Sequence, residues 1–69
     1  MIRAEHIAKI QERMARREKE INTLRARLSE VRDATEADEL RLQIATLAGD
    51  QASDKNELRF WRKEFHDYL

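Results

Sequence analysis

Two histidines, His6 and His66, are the side chains of this 69-residue sequence best suited to proton transfer or metal ligation. Glu64 and Asp67 flank the second within the closing stretch ELRFWRKEFHDYL. A chain that folds back on itself brings His6 to the same end, so the chemistry to weigh is a histidine–carboxylate metal set. The spacing follows none of the ligand patterns of structural or catalytic metal sites. There are no cysteines, which excludes thiol, disulfide and zinc–thiolate chemistry. One glycine cannot build a Gly-rich phosphate loop. Exposed helix histidines are the plain reading. No catalytic residue, cofactor or metal is assigned, and the chain is read as a non-enzyme.

Phosphate binding is the next chemistry to test. RMARREK supplies Arg13, Arg16, Arg17 and Lys19. These cations point at several angles around a helix and acidic neighbours interrupt them, whereas basic nucleic-acid surfaces cluster on one face. A dimer would align Lys9, Arg13 and Arg16 with their symmetry mates, which keeps nucleic acid as a disfavoured alternative.

The aromatic residues suggest contact chemistry instead. Phe60, Trp61, Phe65 and Tyr68 are all in the closing stretch. Trp61, Arg62, Phe65, His66, Tyr68 and Leu69 mix ring area with charge, as binding hot spots do, and form a candidate partner-binding patch. The competing reading is structural. Trp61, Phe65 and Tyr68 close the open end of a hairpin by covering Ile7, Ile10 and the stem of Arg3.

The elements that position these groups follow from composition and periodicity. No proline, one glycine and 41% charged residues suit long helices with solvated faces rather than sheets. The length makes one domain. Ile7, Ile10, Met14, Arg17, Ile21, Leu24, Leu28 and Val31 recur at alternating intervals of three and four residues, one seam of a helix. Leu40, Ile44, Leu47, Gln51, Asp54, Leu58, Trp61, Phe65 and Tyr68 repeat the pattern. This predicts an all-α, antiparallel two-helix hairpin with a coiled-coil-like seam. The first helix is expected at about residues 2–32, the turn at about 33–35 and the second helix at about 36–68. Thr35 and Asp38 are read as a capping box, with acidic residues crowding the new helix start.

Each seam breaks once. Arg17 interrupts the first, Gln51 and Asp54 the second, and folding at the turn sets these residues side by side. They are the candidate hairpin register. Residues 1–32 hold nine Lys/Arg and five Asp/Glu, and residues 33–69 hold five and nine, so the two segments attract. LAGDQASDK is a soft spot, where Gly49 offers a helix end and Ser53 a new cap. The seven-residue phase is the same on both sides, which favours a continuous or kinked helix.

Phe60 falls about 100° off the seam, on the same side as Leu42. Small Thr46, Gly49 and Ser53 lie between them. An apolar residue at each end with small ones between suits close approach of another helix, and Ala4, Ala8, Ala15 and Ala26 form a second small stripe. A single short hairpin buries little. A four-helix homodimer is therefore expected, with Leu42, Thr46, Gly49, Ser53 and Phe60 at its interface.

The chain length, the opening MIRAEHIAKIQERM and the closing FWRKEFHDYL resemble the small anti-quorum-sensing proteins of Mu-like Pseudomonas phages. The likeness spans the whole chain and rests on no diagnostic motif. It implies an early phage protein, helical and dimeric, that binds a host transcription activator of the LuxR type and blocks its action. It implies a second target, the ATPase that assembles type IV pili, whose inhibition would exclude superinfecting phage. A structural or chaperone-like adaptor is the first alternative. The second is an RNA-binding regulator, because the hairpin also resembles the plasmid copy-number protein Rop in architecture. No apolar run is long enough for a membrane span or a signal peptide, and a cytoplasmic location is expected by default.

Overall fold

A computed structural model describes residues 3–67, with side chains described through Arg62. It contains two helices, α1 from Arg3–Glu30 and α2 from Ala34–Asp67, packed against each other. The molecule is a rod of 53 × 16 × 15 Å. The chain reverses in three residues, so the helices run antiparallel. The architecture is the all-α helical hairpin expected from the two seams.

Burial follows the heptads position by position. Among the described residues, Ile10, Ile21, Leu24, Leu40 and Leu58 are the buried apolar ones, with Ile10 only 1% exposed. Ile7, Met14, Leu28, Val31, Ile44, Leu47 and Trp61 are half-buried, and almost every residue off the seams is exposed. Burying a large apolar side chain stabilises by roughly 1.5–3 kcal/mol. Among the described residues these five make a thin core, set against an ordered backbone that opposes folding at every position.

The reversal lies at residues 31–33, slightly before the expected 33–35. The cap is also different. Asp33, not Thr35, is the N-cap: its Oδ2 accepts from the Glu36 amide at 3.2 Å, and its carbonyl accepts from the Ala37 amide at 2.9 Å. Thr35 is already inside the helix. Asp33 and Glu36 occupy the two ends of a capping-box spacing, and Glu36 puts negative charge at the positive end of the dipole. An aspartate outcompetes a threonine two residues later because its carboxylate carries full charge and the seam has already turned at Val31. At the end of α1, the Val31 amide reaches only to the Leu28 carbonyl at 3.4 Å, a tightened last turn.

α2 runs without a break through Gly49 and Ser53. Gly49 has no positive φ, and Ser53 is an ordinary exposed helix residue. The unbroken phase of the apolar repeat outweighs the roughly 1 kcal/mol cost of one interior glycine.

Candidate functional site

The polar centre of the hairpin is built where both seams break. α1 carries Arg13 and Arg17 one turn apart, and α2 carries Gln51, Asp54 and Glu57 opposite them. Arg17 Nη1 donates to Asp54 Oδ2 at 2.6 Å and to Gln51 Oε1 at 3.1 Å. Gln51 Nε2 in turn donates to the Met14 carbonyl at 2.9 Å. Arg13 grips the same carboxylate with two nitrogens, Nε to Oδ2 at 2.8 Å and Nη2 to Oδ1 at 2.7 Å. Arg13 Nη2 also lies 3.6 Å from Glu57 Oε2, and His6 Nε2 lies 3.3 Å from Glu57 Oε1. Among the described residues, no buried side-chain nitrogen or oxygen lacks a partner.

The electrostatics follow from this geometry. The hydrogen bonds from Arg13 and then Arg17 hold the Asp54 carboxyl down at about 2 against an ordinary 3.8. Asp54 is only 8% exposed, yet what covers it is one layer of side chains and its own cationic partners. Desolvation opposes ionisation, but less than either hydrogen bond favours it. The hydrogen bond to Asp54 raises Arg13 above its usual value. A carboxylate held this acidic is a poor base at neutral pH, so the cluster acts as an electrostatic clip.

Arg17, Gln51 and Asp54 thus come together. Arg13 is the member that sequence reasoning missed, having been weighed only among the RMARREK cations as a phosphate-binding group. A signal was present: Arg13 precedes Arg17 by four residues and Asp54 precedes Glu57 by three, so each pair shares a helix flank. The clip commits two of the four cations that favoured nucleic acid, leaving Arg16 and Lys19 exposed.

At the open end, Trp61 meets His6 edge-on, with ring centroids 4.7 Å apart and an interplanar angle of 64°. Phe60 packs edge-on to Trp61 at 5.8 Å. Trp61 is half-buried and Arg62 exposed. Of the other members of the predicted patch, Tyr68 and Leu69 lie outside the described residues, as do the side chains of Phe65 and His66. So do the side chains of Glu64 and Asp67, and with them the metal set weighed for His66. His6 itself is engaged by Glu57 and Trp61, and among the described residues no group of three potential ligands gathers.

Two further surfaces stand out among the described residues. Leu42 and Phe60 are 70% and 59% exposed, with exposed Thr46, Gly49 and Ser53 between them. Thr46 Oγ1 donates to the Leu42 carbonyl of its own helix at 3.0 Å, so its hydroxyl needs no outside partner. A Cβ on Gly49 would meet nothing within 4 Å. The second surface is a trough of about 670 Å³ between the helices, floored by Met14, Ile21 and Leu58 with Ala48 and Ala52 alongside. Arg25, Lys55, Arg59 and Arg62 edge it, with one acid, Glu18.

On α2 the trough residues and the Leu42–Phe60 stripe lie roughly 150° apart at 100° per residue. None of the stripe lines the trough. Ala4 and Ala8 of the α1 stripe instead border a shallow hollow of about 230 Å³ beside Ile7.

Comparison with known proteins finds no matching family, no matching curated protein and no matching solved structure.

Proposed function

We propose that this hairpin is a non-enzymatic binding protein that works as a homodimer and inhibits a larger protein by occupying part of its surface. One observation carries the reading. The titratable groups at the helix–helix contact are engaged in holding the rod together, while the large apolar residues Leu42 and Phe60 are left in solvent. A rigid body with a surface and, among the described residues, no free acid–base pair suits blocking rather than turnover. A thin core and an exposed apolar stripe with small residues between its ends together favour self-association.

The target class comes from the resemblance of the chain ends to anti-quorum-sensing phage proteins. The inhibited protein would be a LuxR-type transcription activator in the host bacterial cytoplasm, with the type IV pilus assembly ATPase as a second target. Among the described residues no helix is long and apolar enough to cross a membrane, which is compatible with such targets.

Two measurements test this. Light scattering of the wild-type chain should give twice the 8.3 kDa protomer mass, and Phe60→Glu should return it to one. Co-purification with a LuxR-type activator should retain the hairpin and silence an activator-dependent reporter. A monomeric wild type would remove the dimer. Capture of a virion or secretion component instead would move the protein to the adaptor class, and nuclease-sensitive capture to the RNA-binding class.

A further inference from the structure

The two long sides of the hairpin are not equivalent. One is laced shut by Arg13, Asp54, Glu57 and His6. The other is the open trough. Its cations Arg25, Lys55, Arg59 and Arg62 take part in no ion pair with any described residue, and a single acid, Glu18, faces them. From these observations we infer that the trough is a docking site for an acidic amphipathic helix of a partner protein. The inference rests on the binding-protein reading and deepens it by naming the chemistry of what docks.

Shape argues for a helix. The lining runs from Met14 to Arg25 on α1 and from Ala48 to Arg62 on α2, or about 16–21 Å at 1.5 Å per residue. That length accepts about three to four helical turns, and a third helix laid between two others completes a three-helix layer. An extended segment would carry unpaired backbone groups over an apolar floor, whereas a helix satisfies its own. Apolar residues spaced three and four apart would rest on half-buried Met14 and exposed Ala48 and Ala52, with buried Ile21 and Leu58 beneath them.

Charge argues for acidity, and against two other occupants. A second copy seated face to face would press one basic edge against another, and like charges in contact repel. Nucleic acid would match the charge but not the floor. None of the lining residues offers a ring for base stacking. An acidic helix satisfies the edges and the floor together.

The probe is a fluorescent amphipathic peptide of about 14 residues, leucines on one face and glutamates beside them, read by anisotropy against the full chain. A lysine-for-glutamate version and a short single-stranded RNA are controls. The glutamate peptide should bind at micromolar concentration, the lysine peptide at least about tenfold more weakly. K55E/R59E should also weaken binding about tenfold. Both residues are exposed and outside the clip, so circular dichroism should show an unchanged hairpin. Equal binding of both peptides, tighter binding of RNA, no saturation by the glutamate peptide, or a dimer that K55E/R59E dissociates would each overturn the proposal.

Discussion

Arg13 and Asp54 meet through two parallel hydrogen bonds, 2.8 and 2.7 Å long, on the same carboxylate that Arg17 approaches at 2.6 Å. Two guanidinium groups from one helix therefore share one buried acid from the other. Their positions fix how far α2 can slide along α1, because a shift by one heptad would strand the acid among apolar residues. The relationship is a specificity device first and a source of stability second.

Removing the acid exposes that order. Asp54→Ala leaves Arg17 largely covered and without its carboxylate, and should destabilise by about 2–3 kcal/mol, scaled down from fully buried pairs. For a chain of this size that lowers Tm by roughly 10–20 °C. Replacing Arg17 and Asp54 together with leucine should hold or raise Tm. Amide resonances of the double variant should then split into several sets as register loosens. A single sharp set would show that the apolar seams alone specify the pairing.

Acid should undo the clip in a defined window. The folded Asp54 carboxyl sits at about 2 and the ordinary value is 3.8. Its contribution is complete above the ordinary value and is lost as pH falls through the folded one. Melting temperature should thus drop between about pH 4 and pH 2. Asp54→Asn should flatten that part of the profile in parallel melts. A slope unchanged by the substitution would assign the acid sensitivity to other carboxylates.

The cap offers a direct comparison of neighbouring residues. Asp33→Ala should cost about 1 kcal/mol through the lost bond to the Glu36 amide. Thr35→Ala should be within about 0.5 kcal/mol of neutral, since Thr35 lies in the helix. Urea melts of the pair check this, and the reverse ranking would return the cap to Thr35.

Gly49→Ala should stabilise the protomer by about 0.5–1 kcal/mol, because the added methyl meets open space and the unfolded chain loses freedom. The measurement is a thermal melt at a concentration low enough to keep the chain monomeric. Loss of stability there would mean that α2 bends at this position.

Much of this structure was legible in the chain. Alternating apolar intervals located both helices, and the coincidence of their polar breaks placed Arg17 beside Gln51 and Asp54. The turn was slightly displaced because Thr35 and Asp33 are both capping residue types, and only the local backbone decides which carboxyl or hydroxyl reaches an amide. The inequality of the two sides was not legible. Arg13, Lys55 and Arg59 all read as solvated helix cations, since a one-dimensional pattern locates the seam but not its flanks.

The sequence by itself determined two antiparallel rods joined near Asp33, since a heptad phase can be buried in only one way. Tertiary structure alone decided that Arg13 crosses to Asp54 while Arg25, Lys55, Arg59 and Arg62 edge an open trough. The physical reason is distance. A flexible cation takes whichever acid the opposite helix brings within about 3 Å, and that is set by the rotation of two packed helices, not by the order of residues along either one.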